Sequence, residues 1–254
     1  MSPAGLFQAT GFSDHPYSRW YAPNYEQFWD PDYSTLAEMP RFEQALDRLQ
    51  RVYGSNKRFP IWNTEYGYIT SPPKRPNPGD PNPWVTPDTA AHYLNWAEYI
   101  SWRDQRIQST MQYLLADPLP ALRSNDFGGF ASGLIAFNGK PKATYDAYRL
   151  PLYMPVTTTS NGHSLEVWGC ARPSHNAAKS SGDPGTVSIQ LQPNSRGPFQ
   201  TLKTVAITDA HGYFDTRVLF PSGGRVRLTW AYPPPDPFSE PTAVFSRVVQ
   251  ITIH

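Results

Sequence analysis

The stretch from Arg58 to Tyr68, RFPIWNTEYGY, constrains this chain more than any other. Phe59 to Trp62 is a short apolar run that leads into Thr64-Glu65. Runs of this length read as buried parallel strands, although length alone leaves a helix open. Gly67 and the proline-dense segment from Ser71 to Pro87 halt any continuation. Glu65 therefore stands where a buried strand would surface into a long loop. A glutamate in that place is ordinarily a solvated or ion-paired surface group. In a barrel of parallel strands, the same position carries catalytic residues.

The totals narrow the classes of function. At 254 residues the chain can hold one or two domains and a sizeable core. A formal net charge of +1 gives no electrostatic case for nucleic acid or an anionic membrane. Cys170 is the only cysteine, so an intrachain disulfide and a cysteine-based metal site are both excluded. The six histidines lack the short spacings of a zinc site, and no run approaches the ~18 apolar residues of a membrane span. The opening Met1-Ser-Pro-Ala-Gly lacks the basic start and apolar middle of a signal peptide. Eight tryptophans and fifteen tyrosines supply rings for stacking on sugars or for filling a core.

Along the chain, within Leu6 to Tyr17, Phe12 and its neighbours read as the end of a strand, and Asp14-His15-Pro16-Tyr17 begins a loop. His15 and Tyr17 are either a hydrogen-bonded pair at a buried strand end or part of an active-site floor. Arg19 to Pro40 is irregular and crowded with rings, Trp20, Tyr21, Tyr25, Phe28, Trp29 and Tyr33 among them. Such a loop packs down as a lid or lines a cleft. Phe42, Ala45, Leu46, Leu49 and Tyr53 then recur at helical spacing, and Gly54 ends the helix. The loop to Pro87 holds seven prolines and is long enough to bind something. Trp84 near its end is a sugar platform or a packed anchor. Thr86-Pro87-Asp88 starts a second helix, Ile107 to Leu115 reads as a further strand, and Pro141 opens a short helix.

Pro151 to Asn161 has no periodicity and reads as a linker. Beyond it Leu165/Val167, Val187/Ile189/Leu191, Phe214/Thr216/Val218, Val226/Leu228/Trp230 and Val249/Ile251/Ile253 alternate between turn residues, the pattern of a β-sandwich. Trp168 and Trp230 fill its core or face a sugar.

The phrase Trp62-x-Thr64-Glu65-x-Gly67 resembles the nucleophile segment on strand 7 of clan A glycoside hydrolases, retaining enzymes built on a (β/α)8 barrel; the likeness is greatest to families 39 and 5. Gly133-Leu134 followed by Gly139-Lys-Pro-Lys-x-x-Tyr145-x-Ala-Tyr148 resembles the close of such barrels, and the resemblance covers about residues 5–150. It implies an α/β plus all-β chain: an incomplete (β/α)8 TIM barrel of about strands 6–8 over 1–150, a linker over 151–161, and an immunoglobulin-like β-sandwich over 162–254. The sandwich resembles small modules appended to bacterial secreted enzymes, which implies an extracellular home for the complete protein. The resemblance further implies Glu65 as catalytic nucleophile, His15 and Tyr17 as groups that orient it, and Trp20, Trp62, Trp84 and Tyr113 as rings against a carbohydrate substrate. Tyr113 stands where the family commonly presents a tryptophan. No cofactor is implied.

A retaining glycosidase needs a second carboxyl group, which in this clan is a glutamate after an asparagine. The chain contains no Asn-Glu pair. The expectation is therefore the C-terminal part of a longer enzyme; the alternative is a shortened barrel in which Glu26 or Asp30 supplies the acid. A non-catalytic carbohydrate-binding or adhesion protein, and an inactive remnant, are the competing classes. The sequence is silent on sugar, linkage and oligomeric state.

Overall fold

The apolar run at Phe59 opens the central strand of a three-stranded parallel sheet. The structure is a computed structural model that describes residues 9–27, 29–70, 84–119, 130–173, 185–232 and 240–254. The long proline loop over 71–83, the chain start before residue 9, Phe28 and the first part of the glycine-rich loop at 124–129 lie outside the described residues. The chain divides into two units, Met1–Lys140 and Pro141–His254.

In the first unit, β1 (Phe12–Asp14), β2 (Ile61–Tyr66) and β3 (Ile107–Gln112) lie in that order, all parallel. Helix α1 (Met39–Val52) connects the first two and α2 (Pro87–Arg103) the last two, because parallel neighbours need a crossover. The second helix starts as the sequence dictates: Thr86 accepts the Thr89 N–H through its side chain, and Pro87 follows at the first position. The first follows a short 3-10 turn, Leu36–Glu38, whose Glu38 carboxylate accepts the Thr35 N–H. Ile61, Leu46, Met39, Tyr66, Tyr68, Ala90 and Ala97 make one buried cluster. Of the apolar stripe expected on α1, Leu49 and Tyr53 are exposed and Met39 and Gln50 are buried instead, so the packed face is rotated from the expected one.

Arg106 ties the sheet to α1. Its guanidinium donates to the Phe59 carbonyl from Nε at 3.1 Å and Nη2 at 3.0 Å. It also pairs with Asp47 at 3.1 Å and lies 3.6 Å from Glu43. One side chain thus fixes the entry of β2, the entry of β3 and one face of α1.

The second unit is a sandwich. One sheet runs β5 (Thr158–Thr159), β12 (Val249–Ile253), β10 (Gly224–Tyr232), β7 (Thr186–Pro193), β8 (Gln200–Ala206), with β11 (Thr242–Phe245) also on β10. The other runs β4 (Leu152–Tyr153), β6 (Leu165–Cys170), β9 (Tyr213–Val218). The alternating residues of both meet in a single core that includes Val167, Ile189, Leu191, Phe214, Val226, Leu228 and Ile251. Trp168 at 0% and Trp230 at 3% exposure belong to the interior, which settles the choice left by the sequence in favour of packing.

Two expectations are corrected. The described residues form no TIM barrel: they are predominantly β, with three α-helices, and the parallel strands of the first unit form an open sheet of three. A barrel closes only when about eight tilted, staggered strands return to the first, and nothing in the pairing approaches closure. The segment read as the end of that barrel goes elsewhere. Helix α3 (Ala143–Arg149) belongs to the second unit, where Leu150, Leu152 and Met154 enter the sandwich core. The stretch expected as a linker supplies β4 and β5. Its prolines and threonines hid two strands too short for an alternation signal.

Truncating Arg106 takes a cation from Glu43, leaves Asp47 with Arg58, and removes two donors from the Phe59 carbonyl. Arg106→Met is expected to destabilise the first unit by about 1.5–3 kcal/mol, the range for losing hydrogen bonds that involve a charged group. Urea unfolding followed by tryptophan fluorescence reads it, and a change under about 1 kcal/mol contradicts the role given to this clamp.

Candidate functional site

Parallel pairing sets two strand ends side by side. The register Phe12↔Ile61, Ser13↔Trp62, Asp14↔Asn63 brings the residues after β1 alongside the end of β2. Pro16 is buried, and the Tyr17 N–H turns back onto the His15 carbonyl at 2.8 Å. The Tyr33 hydroxyl holds the Tyr17 carbonyl at 2.8 Å, and the Leu36 N–H holds that of Pro16 at 3.1 Å. This short loop therefore has a defined course.

Its two functional side chains converge on Glu65. The Tyr17 hydroxyl donates to Glu65 Oε2 at 3.1 Å, and His15 Nδ1 lies 3.4 Å from the same oxygen. His15 Nε2 is 3.1 Å from Thr64 Oγ1, which is 2.7 Å from Ser13 Oγ. Glu65 retains 33% exposure, so its side chain still meets solvent while Tyr17 donates to the carboxylate. Burial raises the Tyr17 phenol far above its ordinary range, and the Glu65 charge adds to the shift. A phenol that keeps its proton is a permanent donor to the carboxylate.

Behind this pair lies a buried hydroxyl network. The Tyr68 hydroxyl donates to the Tyr21 carbonyl at 3.1 Å, which leaves the Tyr66 hydroxyl to donate to Tyr68 at 2.8 Å and to accept from Ser18 at 3.1 Å. Tyr17 stacks on Tyr66 with ring centroids 6.2 Å apart. The Tyr66 and Tyr68 phenols are both pushed up, chiefly by burial. Gly67 lets β2 end this close to its neighbour, since a Cβ there would fall 2.5 Å from the Tyr113 carbonyl oxygen. Asp14, one residue before His15, is also pushed up by burial, with His15 acting in the opposite sense.

Of the other residues singled out in the sequence, Tyr113 stands nearest in effect. Its N–H donates to the Tyr66 carbonyl at 2.9 Å, and its phenol acts electrostatically on Tyr17. Trp62 lies over Gly11, where a Cβ would come within 1.9 Å of the indole. Trp20 packs on Tyr21, with centroids 5.2 Å apart, and Trp84 is half-buried in the approach to α2. Glu26 lines a separate cavity of about 620 Å³ with Arg58, Glu43 and Arg106, at the end of the sheet where β2 and β3 begin. Asp30 accepts the Asp32 N–H in a local turn. Sequence reading missed Ser13 and Ser18, and it named Thr64 only as part of the motif around Glu65, with no role. Their partners are set by the meeting of β1 and its following loop with β2, and no local pattern announces them.

Among the described residues, no group of three or more His, Cys, Asp or Glu side chains is arranged to hold a metal, and no helix is long and apolar enough to cross a membrane. No family model matches the chain, and neither does any curated protein. Among solved structures it is similar to β-glucuronidase 2 from Bacteroides uniformis, captured covalently bound to cyclophellitol-6-carboxylate aziridine. The TM-score is 0.37 and the identity 14%, over 96% of this chain and 26% of that one. A β-glucuronidase from Ruminococcus gnavus in complex with D-glucuronic acid gives 0.33 and 17%, over 56% and 23%. The chain thus spans about a quarter of the length of these glycosidases. A superoxide reductase (neelaredoxin) from Ignicoccus hospitalis gives 0.30 and 10%, over 41% of this chain and 80% of that one. The likenesses are distant and point to different chemistries, so the reaction is argued from the site alone.

The buried phenols carry a pH dependence. Above about pH 10 the unfolded chain loses tyrosine protons that the folded Tyr66 keeps, so stability present below that pH is lost as pH rises. Urea midpoints compared at about pH 9 and about pH 11 are expected to fall more steeply in the wild type than in Tyr66→Phe. Equal slopes contradict the assignment.

Proposed function

We propose that the chain carries the nucleophile centre of a retaining O-glycoside hydrolase, with Glu65 as nucleophile. The observation that supports the reading is the meeting of two side chains at one oxygen: the Tyr17 hydroxyl donates to Glu65 Oε2 at 3.1 Å, and His15 Nδ1 lies 3.4 Å from it. An attacking carboxylate must be held at a fixed angle with its charge intact, and a protonated phenol beside an imidazole does this. In the first step a carboxylate oxygen of Glu65 attacks the anomeric carbon. The carbon–oxygen bond to the leaving alcohol breaks, that alcohol takes up a proton, and a glycosyl ester remains. Water then hydrolyses the ester and restores the carboxylate. The second carboxyl group of such a mechanism, the proton donor, is not assigned to a residue. Trp20, Trp62, Trp84 and Tyr113 are proposed as rings for the carbohydrate, with Tyr113 the one beside Tyr17.

Labelling tests this without needing the proton donor. A 2-deoxy-2-fluoroglycoside with an activated leaving group departs unprotonated, so it can ester-link to the nucleophile in the absence of an acid. Incubation with a panel of such glycosides, followed by peptide mapping, is expected to place the label on Glu65 and to give none in Glu65→Gln. A label on another carboxylate sinks the assignment.

A further inference from the structure

The polar contacts around His15 form a chain: two hydrogen bonds and one approach to a carboxylate. Ser13 Oγ is 2.7 Å from Thr64 Oγ1, Thr64 Oγ1 is 3.1 Å from His15 Nε2, and His15 Nδ1 is 3.4 Å from Glu65 Oε2. A carboxylate has lone pairs and no hydrogen. A ring nitrogen facing it at this distance is stable with its proton on, because the alternative sets a lone pair against a negative charge. A neutral imidazole holds one N–H only. With the proton on Nδ1, Nε2 accepts, and among the described residues the hydrogen set against it is that of the Thr64 hydroxyl. Thr64 then has no hydrogen left for Ser13, so Ser13 donates to Thr64.

We infer that Thr64 is a positioning residue: by donating to His15 Nε2 it fixes the ring in the Nδ1–H tautomer that presents a donor to Glu65. Which ring nitrogen carries the proton is set by the hydrogen bond that the other one makes. Thr64 is suited to the task because it sits on β2 immediately before Glu65, while its partners come from β1 and the residue beyond it. The catalytic meaning rests on the proposed reading of Glu65; the tautomer itself does not. Without the Thr64 hydroxyl the carboxylate alone favours Nδ1–H, while water at the exposed ring accepts from an Nε2–H, so the tautomer is held from one side only and the Nε2–H form gains population. Thr64→Ser keeps the hydroxyl and Thr64→Val keeps the shape, so the two separate hydrogen bonding from packing. Ser13 lies one step further out, and its loss leaves Thr64 free to donate.

Long-range proton–nitrogen NMR of the full chain, labelled with nitrogen-15, reads the tautomer directly. Spectra are recorded at about pH 8.5, above the ordinary histidine range, and His15→Gln identifies the His15 ring among the six. The expected result is an Nδ1–H ring in the wild type, in Thr64→Ser and in Ser13→Ala, with a measurable share of the population moved to Nε2–H in Thr64→Val. A wild-type ring with its proton on Nε2 overturns the inference, whatever the variants do. So does an unchanged Nδ1–H ring in Thr64→Val. Should Thr64→Val fail to fold, as judged by the other histidine signals, the wild-type tautomer alone decides. The outcome is independent of the Glu65 labelling, so the relay and the reaction can fail separately.

Discussion

The parallel register between β1 and β2 decides where every group of the site lies. Phe12 opposes Ile61 and Asp14 opposes Asn63, which carries His15 and Tyr17 past the end of β1 to the level of Thr64 and Glu65. A slip by one residue would turn each side chain of β1 to the other face of the sheet and separate Ser13 from Thr64. The register is held from the far end. The Phe12 N–H donates to the Pro60 carbonyl at 2.9 Å, the Ile61 N–H donates to the Arg106 carbonyl at 2.7 Å, and the Arg106 side chain returns to Phe59. Gly11 permits it as well, since any larger residue would strike the Trp62 ring.

Around Glu65 the arrangement concentrates donors rather than charge. The phenol of Tyr17 cannot leave its proton while it faces the carboxylate from a half-buried position. The hydroxyls of Tyr66, Tyr68 and Ser18 satisfy one another behind it, so the floor of the site is polar without being ionised. Such groups cost little to keep buried because each has a partner. They hold the Tyr17 ring by stacking, and a ring that does not move keeps its hydroxyl on target.

Much of the first unit was legible. The Phe59 run is a strand edge, Thr86-Pro87 is a helix start, and the loop after Phe12 does meet Glu65. These depend on local signals: apolar runs, caps and prolines. The alternation after Leu165 likewise marked the sandwich strands. What was misread depends on long-range pairing. A central parallel strand such as β2 reads alike in an open sheet of three and in a closed barrel of eight, because the apolar run reports its burial and not the number of strands beside it. The tail from Pro141 to Tyr148 carried a family-like phrase, yet the helix it forms leads into the sandwich and its core. The Ser13–Thr64 pair spans fifty-one positions, and nothing local to either residue encodes it.

The central claim is that Tyr17 and Glu65 are energetically one unit. A double-mutant cycle of Tyr17→Phe and Glu65→Ala, read as unfolding free energy in urea at neutral pH, measures their coupling directly. A favourable coupling of at least about 0.5 kcal/mol is expected for a half-buried hydrogen bond to a carboxylate. Additive losses, with a coupling indistinguishable from zero, would show that the two side chains do not meet in solution, and the site as described would not exist.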